Sequence, residues 1–157
     1  MKKAYIIVFI SFILEILIST FLNQNSYFLP LFVFLITMEE ANKRKNIKES
    51  LSFSFLIGFI YDIVMTNTYF FNATIFLIIS LINKKYNKYV NKNNVTFLIY
   101  FILEIFLYRL FTYLVLVIIK YKIVSIKLFI KSIISSIILN LIFIKLHHIF
   151  YKKIKIA

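Results

Sequence analysis

Long apolar stretches alternate with short polar or basic ones along the whole chain, at about 4–22, 27–38, 50–65, 69–82, 96–119 and 128–151. None shows the strict alternation of a half-buried strand, so each is predicted to be a helix. The first, fifth and sixth are long enough to cross a hydrocarbon core of roughly 30 Å. The second, third and fourth carry only some twelve to sixteen apolar residues. They must borrow flanking residues, thin the bilayer or stop partway across. The pattern predicts an all-α integral membrane protein, with residues 1–157 forming a single transmembrane domain of six helices.

Composition sharpens this picture. The 157 residues are 62% hydrophobic, well above the roughly 45–50% of a soluble domain. Six acids against 19 Lys and Arg give a formal charge of +13, and most of that charge sits in runs between the apolar segments. With the N-terminus inside and all six segments crossing, thirteen basic residues fall on the inner side: Lys2, Lys3, Lys43, Arg44, Lys45, Lys48, Lys84, Lys85, Lys88, Lys92, Lys152, Lys153 and Lys155. Three fall outside: Lys120, Lys122 and Lys127. This positive-inside bias predicts an N-in, C-in topology. The inner runs "EEANKRKNIKE" and "NKKYNKYVNKNN" are expected to meet anionic lipids. Split over short loops, they do not point to nucleic acid. Lys131 and Lys145 lie near segment ends and can snorkel. Lys2 and Lys3 before an apolar run resemble a signal peptide, but without a small-x-small cleavage site the segment is expected to be retained.

Polar residues inside the segments are the candidates for function. On the third, Ser54, Gly58, Asp62 and Thr66 follow at i, i+4 spacing and share one helix face. Gly58, the chain's only glycine, allows a neighbouring backbone close, and Asp62 one turn on meets what that neighbour presents. An acid at membrane depth costs about 2.5–3.5 kcal/mol on insertion scales, which favours an inward-facing, functional position. The alternative is an acid near the outer end that caps the turn Thr66, Asn67, Thr68. The last segment carries Ser132, Ser136 and Asn140 at the same spacing, a pattern of helix packing. Glu15 and Arg109 are a possible interhelical ion pair. Glu104 and Arg109, five residues apart, lie about 140° around the helix from each other and cannot pair on one face. His147 and His148 point about 100° apart and make a poor metal site.

No Gly-rich phosphate loop, HExxH or GxSxG is present, and no catalytic, metal or cofactor site is expected. No segment carries a polar stripe long enough to line a pore. The absence of cysteine excludes disulfides and thiolate chemistry.

Between Pro30 and Ile82 the sequence resembles a known family. A short segment opening on Pro30, "PLFVFLITMEE", leads into a basic loop and then "FLIGFIYDIVMTNTYFFNATIFLIISLI". The matching residues are Pro30, Gly58, Asp62 and the polar turn Thr66, Asn67, Thr68. They resemble MreD, the small inner-membrane protein of the bacterial rod-shape system. After the turn that family usually has a glycine, where this chain has Phe70 and Phe71. The resemblance implies a non-enzymatic, multi-pass component of the bacterial inner membrane in the cell-elongation (elongasome) machinery that supports lateral peptidoglycan synthesis. It implies association with MreC and, through it, with MreB, RodA and a class B penicillin-binding protein, without a cofactor. The face of Ser54, Gly58, Asp62 and Thr66 would then belong to the bundle's core or to the surface that docks MreC. The bundle would resemble the substrate-binding components of energy-coupling-factor vitamin transporters. Membership in such a transporter is the alternative, in which the last segment and outer loops would line a vitamin pocket.

Overall fold

A computed structural model describes residues 2–22, 30–86, 94–119 and 126–156. They form six α-helices: α1 (Lys2–Leu22), α2 (Phe32–Lys43), α3 (Ile47–Tyr61), α4 (Phe71–Tyr86), α5 (Asn94–Ile118) and α6 (Ile126–Ile156). A π-helical turn, Asp62–Thr66, extends α3. The "NQNS" loop and Lys88, Lys92, Lys120 and Lys122 lie outside the described residues.

Four stretches are long and apolar enough to cross a membrane: Lys3–Phe21, Ile47–Thr66, Leu98–Ile118 and Phe129–His148. The third segment therefore reaches further than expected. Its helix starts at Ile47, takes in the charged Lys48 and Glu49, and runs on through the π-helical turn. Asn46 supports that early start by accepting a hydrogen bond from the Lys48 amide at 3.0 Å, an N-cap interaction. The second and fourth segments stay short, at 12 and 16 residues.

The shortest helix is the most enclosed. Every residue from Leu31 to Met38 is at most 2% exposed. Consecutive helical residues point in all directions, so α2 is surrounded, as a helix apolar on every side must be. Helices α1, α3, α4, α5 and α6 all pack on it. Phe34 lies between Phe76 and Tyr108, with ring centroids 5.1 and 4.8 Å away, and Phe32 stacks on Phe143 at 3.9 Å. Helix α1 contributes a narrow buried stripe, Ala4, Val8, Ser11, Phe12 and Glu15, while Ile6, Phe9, Ile10, Ile13 and Leu17 face outward. An outward apolar face is what a lipid-exposed helix presents.

The C-terminal end of α2 meets the charged end of the bundle. Lys84 on α4 donates its ammonium to the Asn42 carbonyl at 3.1 Å and to the Arg44 carbonyl. A cation at a helix C-terminus satisfies orphan carbonyls and opposes the negative end of the helix dipole. Ser50 of α3 adds a hydrogen bond to the Ala41 carbonyl at 2.8 Å. Arg44 lies over the Phe53 ring, 4.0 Å from its centroid. Beside them, Lys43 contacts Glu39 and Glu40 at 2.7 and 2.6 Å, and His147 Nδ1 lies 3.4 Å from Glu39 Oε2. Burial raises the Glu39 carboxyl, but His147 and Lys43 outweigh it and hold Glu39 at about 2.

Replacing Lys84 by methionine keeps most of the stem and removes the cap. The Lys84→Met protein is expected to lose about 0.5–1 kcal/mol, seen as a lower thermal midpoint in mild detergent. An unchanged midpoint would show that water serves these carbonyls equally well.

Candidate functional site

The polar face of α3 forms its site by terminating one helix and starting the next. The Asp62 carbonyl accepts from the amides of Asn67 and, at 3.2 Å, Thr68, which closes the π-helical turn. Its carboxylate turns toward the first turn of α4. Oδ1 accepts from the Asn72 amide at 2.9 Å, the Asn72 side-chain amide at 2.9 Å and the Thr68 hydroxyl at 2.5 Å. Oδ2 accepts from the Ala73 amide at 3.0 Å. Asp62 is 0% exposed. It therefore does from ten residues away what an N-cap residue ordinarily does in place, and its charge lies at the positive end of the α4 dipole.

Gly58 makes that reach possible. A Cβ built on Gly58 would lie 2.7 Å from the Ala73 Cα and 2.8 Å from the Asn72 carbonyl oxygen. These are backbone atoms that cannot rotate away. The first turn of α4 thus rests directly on Gly58, one helical turn below the carboxylate that binds its amides. The i, i+4 spacing of glycine and aspartate sets the height at which α4 docks.

The connection is strained at two non-glycine residues. Asn67 and Phe70 have φ of 50° and 59°. Asparagine tolerates the left-handed region, but a bulky aromatic residue pays about 1–2 kcal/mol there. Phe70 is the residue that bears this cost. Its ring stacks on Phe59 and Phe55 of α3, with centroids 5.1 and 6.3 Å away, which offsets part of the strain.

A second buried acid repeats the device. Glu15 of α1 is 1% exposed. It accepts from the Val33 amide in the first turn of α2 at 2.8 Å and from the Tyr61 hydroxyl at 2.6 Å. Asn140 of α6 accepts from the Leu31 amide at 2.8 Å and donates to the Ser136 carbonyl at 2.7 Å. Arg109 Nε donates to the Ser136 hydroxyl at 3.0 Å. The two Glu15 oxygens are thus held by Tyr61 and by the start of α2. Tyr108 of α5 extends the Asp62 site by donating to Asn72 Oδ1 at 2.7 Å.

Of the face read from the sequence, Ser54, Gly58 and Asp62 are buried and Thr66 is exposed. Ser54 bonds back to the Ser50 carbonyl at 3.0 Å. The face is therefore the bundle's own interior, and the core and turn-capping alternatives for Asp62 coincide in one residue. Reading the sequence assigned no role to Asn72, Tyr61 and Tyr108, and gave Lys84 only a place among the inner-side charges. Asn72 carried a signal, an amide isolated between apolar residues ten positions after Asp62. The tyrosines carried none, because only packing distinguishes them from the chain's other nine. Ser136 and Asn140 lie inside, and Ser132 bonds the Phe129 carbonyl. Glu104 is buried away from Arg109 and accepts from Asn83 at 2.6 Å. Among the described residues no three His, Cys, Asp or Glu side chains are grouped to hold a metal.

In comparison with known proteins, the family described as rod shape-determining protein MreD matches residues 3–154. No curated protein matches the chain, and no solved structure does.

Gly58→Ala should force α4 outward and cost about 1–3 kcal/mol, as overpacking does, measured as thermal unfolding in detergent. At Phe70, glycine and alanine both remove the ring, but only glycine removes the strain. Phe70→Gly should therefore unfold at a higher temperature than Phe70→Ala, by about 1 kcal/mol of stability. Equal stability of those two variants would mean that the left-handed conformation carries no strain.

Proposed function

This chain belongs to the rod shape-determining protein MreD family, and we propose that it is a non-enzymatic scaffold that docks the transmembrane helix of MreC in the bacterial inner membrane. Family membership gives the role in shape determination. The observation that supports a scaffold is the use made of the buried polar groups. Asp62, Glu15 and Asn140 bind the amides that start α4 and α2, Lys84 binds the carbonyls that end α2, and Asn72 and Tyr108 tie α5 to the Asp62 site. Groups fixed to helix ends rigidify a framework.

The rest of the reading follows from charge and exposure. The thirteen-to-three distribution of basic residues favours N-in, C-in and six crossings. The short helices then lie within the bundle with both N-termini toward the outer side. In this arrangement MreC is met on an outward face of the bundle, and its link to MreB, RodA and a class B penicillin-binding protein supports lateral peptidoglycan synthesis. The basic inner end lies against anionic lipid headgroups.

The test is isolation of the tagged protein from its own bacterium in mild detergent, with mass spectrometry of what accompanies it. MreC and cell-wall synthases are the expected partners. Recovery of a transporter ATPase and its coupling subunit instead would overturn the proposal. In the same assay Asp62→Ala, which releases the first turn of α4, should lower MreC recovery several-fold while the protein still inserts.

A further inference from the structure

Arg44 follows the last turn of α2 at the basic end of the bundle, and among the described residues no acid pairs with it. The chain has six acids. Glu15, Asp62 and Glu104 are buried in the bundle, Glu39 and Glu40 are taken by Lys43 and His147, and Glu49 lies exposed in the first turn of α3. A second cation is held against Arg44 instead: the Lys84 ammonium donates to the Arg44 carbonyl. Burial and, after it, the charge of Arg44 lower the basicity of Lys84. Two cations fixed side by side with no acid between them make a local positive field that an anion relieves.

The Arg44 side chain is already ordered. Its guanidinium carbon lies 4.0 Å over the Phe53 ring and 6.0 Å from the centre of the Tyr5 ring, and those rings meet edge to face at 5.3 Å. Stacking occupies the flat face of a guanidinium and leaves its N–H edge for a two-oxygen acceptor. Nε is enclosed without a partner, so the terminal nitrogens are the part that reaches the surface. Lys45 and Lys85, the neighbours of Arg44 and Lys84 in the chain, carry the same charge on exposed stems. An anion bound to them must first order a long side chain, a cost already met at Arg44.

Position selects the anion. Tyr5, in the first turn of α1, is 42% exposed, as tyrosines are at a headgroup boundary. The acceptor found at that level is lipid phosphate. We propose that Arg44 forms a site for the phosphate of an anionic phospholipid headgroup, held by the terminal nitrogens of the guanidinium with Lys84 adding charge beside it. This rests on the reading that the basic end lies against headgroups, and it goes further by placing one phosphate at one residue instead of spreading the attraction over the loops.

The test is native mass spectrometry of the full chain in mild detergent, titrated with phosphatidylglycerol and, separately, with phosphatidylcholine, whose choline would add a cation beside Lys84. The first phosphatidylglycerol should bind several-fold more tightly. Arg44→Gln should remove most of that preference, and Arg44→Lys, which keeps the charge but not the fork, should also lower it several-fold. The double variant K45Q/K85Q removes two charges and should lower it less than either. No preference in the unaltered chain would overturn the headgroup reading of the basic end and the site with it. A preference that survives in Arg44→Lys, or that falls furthest in the double variant, would overturn the site alone. Displacement of phosphatidylglycerol by millimolar inorganic phosphate would assign the site to a soluble phosphate and overturn the lipid. Thermal midpoints separate a lost site from a lost fold, and Arg44→Lys, which keeps a cation beside Phe53, decides the matter if Arg44→Gln unfolds.

Discussion

The first-turn amides of a helix have no partner within that helix, and inside an apolar bundle no water replaces one. The arrangement of this protein depends on meeting that demand for two short helices that begin in the interior. The N-terminus of α4 is met by Asp62, and that of α2 by Glu15 and Asn140. Each cap comes from another helix or from across a turn, so the bonds that complete one helix also fix its position among the others. Charge-assisted hydrogen bonds are worth roughly twice neutral ones, and the carboxylates lie at the positive ends of the dipoles they cap. Burying an acid is tolerable here because the acceptor capacity is filled by groups that would otherwise go unsatisfied.

The same economy explains the pairing of Gly58 with Asp62. A carboxylate reaches two successive backbone amides only if that backbone comes close, and the contact of Gly58 with the Ala73 Cα provides the approach. The π-helical turn and the left-handed Asn67 reverse the chain quickly enough to bring α4 back onto the same helix. Phe70 meets the remaining geometry at a cost in backbone strain, with its ring laid against Phe59 and Phe55.

With its polar side chains drawn to helix ends, the bundle has a fixed interior and a wide apolar exterior on α1, α5 and α6. A rigid body with lipid-exposed faces suits assembly within the bilayer. The proposed docking of MreC would use those faces.

Much of this was legible in the sequence, because hydrophobic length and charge placement act locally. The six apolar stretches became six helices, and Gly58 and Asp62 stood out as residues the rest of the composition avoids. The family resemblance was carried by residues close together in the chain. Other features were decided only in three dimensions. The third segment gained its length chiefly at its start, where Asn46 caps a helix that begins at Ile47. Glu15 accepts from the start of α2 and from Tyr61, partners that lie 18 and 46 residues away and that no local pattern indicates. Whether the Ser54, Gly58, Asp62 face looked inward or toward a partner could not be read from its spacing. Periodicity places residues on one side of a helix, but only the packing of the other helices determines which side is covered.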